Sequence, residues 1–215
     1  VRILRAKRRG GGGQTTPNIR CRRTRVPDED QTAMIREGVA LTVATPARTV
    51  AELSLQSLPW GVAAADFALQ VEATTRPELA RVIASLGTRK GIARARQLLS
   101  HVDKRAESAA ESVSRVYMAE DGLPAPDLQV WIGDDYRRVA RLDFGWVKYR
   151  VAGECDGIGK YFDGNSPESA LRREKQRDGD IIDLGWTPVH WTFAEIFNHR
   201  MTRRLRQVLM ERGWD

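Results

Sequence analysis

The hydrophobic period of this chain changes once, at Pro124 and Pro126. Before them apolar residues recur every three or four positions, which predicts helices over 45–55, 60–71, 77–86, 91–102 and 107–120. The first opens on Thr45-Pro46, a cap followed by a first-turn proline. After them the period falls to two, predicting strands over 128–132, 138–146 and 149–156 with turns at Gly133-Asp134-Asp135 and Val147-Lys148. A helix over 168–184 closed by Gly185, a strand over 186–192 and a last helix over 195–212 complete the series. Helix, three strands, helix, strand, helix is an α/β (α+β) order, so a mixed sheet flanked by helices is expected over 105–215. A helical block over 45–104 precedes it. Further upstream, 28–30 predicts a helical turn and 40–43 a strand, while 1–4 and 19–26, parted by Gly10 to Gly13, predict a short loose β-hairpin. Two units follow, 1–104 and 105–215.

Charge is distributed unevenly along this frame. Arg2, Arg5, Lys7, Arg8, Arg9, Arg20, Arg22, Arg23 and Arg25 are nine of the 35 cations, and none of the 28 acids falls among the first 25 residues. The rest of the chain is slightly acidic, so the net +7 resides in an arm, and a polyanion, first of all DNA, is the expected partner. A solvated tail is the plainer alternative. With 41% hydrophobic and 29% charged residues the chain is no disordered tail. The longest apolar stretch, 62–71, is broken by Asp66 and Gln70, so no membrane span is expected. No apolar segment follows the basic N-terminus as a secretory signal would require. Cys21 and Cys155 are too few for a disulfide framework or a metal knuckle and suit a reducing cytoplasm. His101, His190 and His199 lack ligand spacing, which argues against zinc, and no Ser or Cys has a convincing His partner.

Chemistry concentrates on the second and third strands. Alternation puts Arg141 and Asp143 on one face of the second, and Arg150, Ala152, Glu154 and Asp156 on one face of the third. A turn near Val147-Lys148 sets Asp143 opposite or diagonal to Glu154. Carboxylates so placed repel each other unless a cation intervenes, and an all-oxygen set suits Mg²⁺ or Mn²⁺. Asp156-Gly157 permits a sharp turn that returns Lys160 toward them, and Glu111 could add a carboxylate from the preceding helix. The competing reading of Arg141, Asp143 and Arg150 is a cross-strand ion pair on a solvated face. Lys175 and Arg177 have a similar alternative in helical pairs with Glu174 and Asp178. Trp131, Trp146, Trp186 and Trp191 suit core and strand positions better than base stacking.

Asp143, Glu154-Cys155-Asp156-Gly157, Lys160-Tyr161, Glu174 through Asp178 and Leu184-Gly185-Trp186 resemble the Vsr-like branch of the PD-(D/E)xK nuclease superfamily over about residues 105 to 200. The resemblance implies a restriction-endonuclease-like fold and Mg²⁺- or Mn²⁺-dependent cleavage of DNA. By position it makes Asp143 and Glu154 metal ligands, Glu111 the helix carboxylate, Asp156 an added acid, Lys160 the basic group, and Lys175 and Arg177 nucleic-acid contacts. The superfamily lysine normally stands two residues after the glutamate, where this chain has Asp156. Residues 41–50 are similar to the strand-to-helix segment of AbiEi-type antitoxins and transcriptional regulators. That likeness implies a non-catalytic DNA-binding regulator, with a cognate toxin or other protein as partner, and a winged helix that usually precedes the segment but is not readable here. A purely protein-binding module is the third expectation.

Overall fold

The computed structural model describes residues 2–5, 20–23, 25–133, 138–156 and 167–215, with side chains over 25–133, 138–156 and 172–215. Two short strands, β1 (Arg2–Arg5) and β2 (Arg20–Arg23), pair in parallel. The expected hairpin there is thereby corrected, since the fourteen positions between them are long enough for the crossover that parallel strands need. The hairpin of this region is instead β3 (Gln31–Arg36) with β4 (Val39–Ala44). Its turn is Glu37-Gly38, both left-handed at φ 53 and 76, which matches the twist of a two-residue loop.

Four helices follow: α1 (Pro46–Ser54), α2 (Leu58–Gln70), α3 (Arg76–Ser85) and α4 (Ile92–His101). Thr45 accepts from the Arg48 N–H and Thr75 from the Glu78 N–H, capping α1 and α3. Val50, Leu55, Val62, Leu79, Val82 and Leu98 close their core. An ionic network lies beneath its edge. Arg48 donates to Asp30 at 3.1 Å, to Glu52 at 2.7 Å and to the Arg25 carbonyl at 3.3 Å. Arg81 also binds Asp30, and Arg89 binds Glu52. Asp30, Arg48 and Glu52 are all buried, so removing one partner leaves charge stranded in a poor solvent. Arg48→Ala should therefore cost about 3 kcal/mol, the lower end for a broken buried pair because Arg81 and Arg89 remain. Urea unfolding would show it, and a loss below about 1 kcal/mol would mean that water reaches the network.

The second half is a four-stranded sheet ordered β5 (Asp127–Gly133), β6 (Arg138–Trp146), β7 (Val151–Asp156), β8 (Thr187–Thr192). The first two pairings are antiparallel and β7–β8 is parallel, the crossover carrying α6 (Pro167–Asp183). On one face α5 (Ala109–Glu120), α7 (Phe193–Phe197) and α8 (Arg200–Glu211) pack with Phe144, Trp146, Val151, Cys155 and Trp191. On the other, Ile181 of α6 packs with Ile132, Ala140, Leu142 and Ala152. The mixed α/β architecture is thus as expected. Among the described residues no helix is long and apolar enough to cross a membrane.

The closing helix departs from expectation, being two helices parted at left-handed His199 (φ 57). The break lets Phe193 and Phe197 stack around Trp60 and Tyr117, while the His199 imidazole takes Asp121 at 2.7 Å. The halves of the molecule share α5: Val116 belongs to the helical core, Val113 and Met118 to the core beneath the sheet.

Candidate functional site

The β6–β7 ladder pairs Trp146 with Val151 and Phe144 with Gly153, so Asp143 and Glu154 are the next positions in register. Hairpin geometry comes from the 3-10 turn Val147–Tyr149 and left-handed Arg150; β7 accordingly starts at Val151, and Arg150 instead reaches the Leu184 carbonyl. Near Asp143 the sheet changes face. Ala140 and Leu142 pack toward α6, Phe144 and Trp146 toward α5, although all four share parity. The irregularity lies opposite Gln129, whose φ of 55 interrupts β5.

Glu154 is 2% exposed. Its Oε2 accepts from Arg177, and its Oε1 is buried without a hydrogen-bond partner. Burial raises its pKa against the pull of Arg177, and Asp143 adds repulsion. Asp143 accepts from the Cys155 N–H at 3.3 Å. Glu111, capped into α5 by Ser108, takes the Glu107 N–H at 3.0 Å and the Gln129 amide at 2.9 Å. Burial raises its pKa as well, with Asp143 again contributing. The three carboxylates therefore share one electrostatic environment, yet they are not a set of three ligand atoms within 4.8 Å of one another. Such a set exists beside them: Asp156, Glu174 and His190. The imidazole lies between Asp156 at 3.9 Å and Asp178 at 2.9 Å, whose carboxylates raise its pKa to about 9.

Raised carboxylate pKa values fix the sign of a pH effect. Well below pH 4.5 Glu111 is protonated folded and unfolded and contributes nothing; as pH rises through 4.5 toward its higher folded pKa, the folded state loses stability relative to the unfolded chain. Glu111→Gln should thus stabilise the metal-free protein at pH 7 and have no such effect near pH 4. Parallel thermal unfolding at the two pH values measures the difference, and a gain that does not depend on pH would contradict the assignment.

The remaining expected residues are dispersed. Lys7, Arg8, Arg9 and Lys160 lie outside the described residues. Arg2, Arg5, Arg20, Arg22 and Arg23 stand on β1 and β2, with Arg2 in register with Arg20 and Arg5 with Arg23. Arg25 is exposed, as is Lys175 on α6. Arg177 is held against the sheet by Glu154 and the Arg141 carbonyl. Arg141 pairs at 2.6 Å with Glu107, just before the Ser108 cap of α5. Trp146 and Trp191 are core residues, donating to the Pro124 carbonyl and to Ser114. Trp131 departs from the core expectation: it is 52% exposed with the Arg138 guanidinium 5.2 Å over its ring. Cys155 is a buried free thiol pushed up to about 12 by burial, hence inert as a nucleophile. His190 carries no linear signal, because parallel pairing of β7 with β8 is what sets it beside Glu154.

Two curated proteins are similar to part of this sequence. The chain is 37% identical over 145 residues to the uncharacterized protein Rv2248 of Mycobacterium tuberculosis (strain ATCC 25618 / H37Rv) and to the uncharacterized protein MT2308 of strain CDC 1551 / Oshkosh, the match covering 67% of this chain and 52% of each relative. It thus spans about half the length of the curated relatives it matches. No protein-family model matches the chain, and no solved structure matches it.

Proposed function

We propose that this protein binds DNA through its basic N-terminal segment and hydrolyses a phosphodiester with a divalent cation, Mg²⁺ or Mn²⁺, at the Asp143–Glu154 end of the β6–β7 ladder. One observation carries the reading: a carboxylate oxygen of Glu154 is buried without a partner, one register step from Phe144–Gly153, where Asp143 is its cross-strand neighbour. A buried, unpaired anionic oxygen is costly, and a hard cation is the partner an all-oxygen donor set fits. Asp143 and Glu154 would hold the ion, which supplies Lewis acidity toward a phosphoryl oxygen and a water of lowered pKa. The chain's own residues do the rest. Arg177 fixes one oxygen of Glu154 and leaves the other available. Gln129 and the Glu107 N–H hold Glu111 at the rim, where it adds negative potential. Lys160 is the proposed basic group acting on charge that develops on the phosphate. The β1–β2 register brings arginines together in pairs, an arrangement that an anion relieves. A cytoplasmic location belongs to the same reading. Plasmid nicking with Mg²⁺, Mn²⁺ or EDTA tests it, and cleavage insensitive to EDTA would sink it.

A second reading has its own support. Arg177 already neutralises Glu154 in part, and Asp156 occupies the position where the resemblance leads one to expect lysine. Both features suit a non-catalytic DNA-binding regulator or antitoxin that uses the fold as a platform and engages a protein partner. Mn²⁺ uptake separates the two readings, since the platform needs no ion between Asp143 and Glu154.

A further inference from the structure

We propose that Asp156, Glu174 and His190 form a second cation site, adjoining the first, that takes a divalent transition ion such as Zn²⁺ rather than Mg²⁺. The three side chains come from the end of β7, from α6 and from β8, and one ligand atom of each lies within 4.8 Å of the others. His190 is already oriented. Its Nε2 meets Asp178 at 2.9 Å, while Nδ1 is buried, has no hydrogen-bond partner and faces Asp156 at 3.9 Å. That distance is too long for a hydrogen bond. Two ligands of one ion, each bonded at about 2.1 Å, are separated by up to about 4.2 Å, so it suits a shared ion. Asp178 then has the part of the outer carboxylate that fixes a metal-binding imidazole through its other nitrogen. Glu174 and Asp178 stand four residues apart on α6, which places ligand and outer carboxylate on one helix face. Local charge points the same way. Glu154 is the register partner of His190, and the neighbouring guanidinium groups are spent elsewhere, Arg177 on Glu154 and the Arg141 carbonyl, Arg204 on the His190 carbonyl and Glu195. An imidazole among carboxylates selects Zn²⁺, Mn²⁺ or Co²⁺ over Mg²⁺. Bound there, an ion ties α6 to the parallel edge of the sheet.

The site is independent of nuclease activity and is tested without it. Calorimetric titration of the full chain with Zn²⁺ should show a site that Glu174→Gln and His190→Gln each weaken by about 100-fold, and that Asp178→Asn weakens by 10- to 100-fold as outer-shell partners do. The Asp143→Asn variant should retain it. In ¹H–¹⁵N spectra the His190 ring nitrogens should shift on Zn²⁺ addition and stay put with Mg²⁺. Glu174 is only half-buried on its helix, so its variant decides the matter if His190→Gln fails to fold. Wild type that binds no Zn²⁺, or that binds it as tightly as Glu174→Gln, would overturn the proposal. So would loss of Zn²⁺ on Asp143→Asn alone, which would assign the ion to the first site. A cleaved plasmid with no Zn²⁺ site leaves the proposed function standing and removes this one.

Discussion

The Asp143→Ala, Glu154→Ala double variant is expected to lose Mg²⁺-dependent nicking of supercoiled plasmid by about a thousandfold or more, because a bound ion supplies several kcal/mol of charge stabilisation during phosphoryl transfer. DNA affinity should change little, since neither residue belongs to the basic segment. Heats of Mn²⁺ binding at this site should vanish in parallel. Glu154 sits in the core of the sheet, and alanine there frees Arg177, so the gentler Asp143→Asn serves as a folding control. Cleavage that persists in the double variant, or Mn²⁺ heats equal to those of wild type, would place the chemistry elsewhere and favour the binding-platform reading.

Deleting residues 1–24 should weaken non-specific DNA binding by about three orders of magnitude at 50 mM salt, and it should make the salt dependence shallower by about three to four units if half of the eight cations removed each neutralise a phosphate. Arg25 stays, so its carbonyl still receives Arg48. The remainder should fold normally, because among the described residues β1 and β2 form a sheet of their own and β3 pairs with β4 alone. The loss should be nearly uniform across DNA sequences, as contacts to phosphates carry no base information. A truncated chain that keeps both affinity and slope would move the nucleic-acid surface to the arginines of α8, where Arg203 and Arg206 are exposed.

How far the linear chain foretells this molecule depends on the range of the interaction involved. The helices α1 to α5 were legible because their signals are local: Thr45-Pro46 starts the first, and the apolar period is complete within each. The strands β5 to β8 were legible for the same reason, and β6 has the expected bounds. The strand β3 was missed. Its residues are nearly all exposed, so burial imposes no alternation on Gln31–Arg36, and only pairing with β4 makes it a strand. The break at His199 was missed because it answers to Trp60 and Tyr117, far away in the chain.

The candidate site divides along the same line. Spacing along one hairpin was enough to bring Asp143 and Glu154 together, since a short turn converts sequence distance directly into register. The partners that give those acids their chemistry arrive through long loops and crossovers: Arg177 from α6 onto Glu154, Gln129 through a left-handed residue onto Glu111, and His190 through the parallel β7–β8 pairing onto Asp156. Such contacts leave no periodic trace in the chain. The sequence by itself determined the element types, the charge of the arm and the carboxylate hairpin, because each depends on neighbours a few residues apart. Tertiary structure alone decided which anion keeps an unpaired oxygen, which arginine meets it and which histidine stands beside it, because burial and charge pairing are set by whatever the fold brings near.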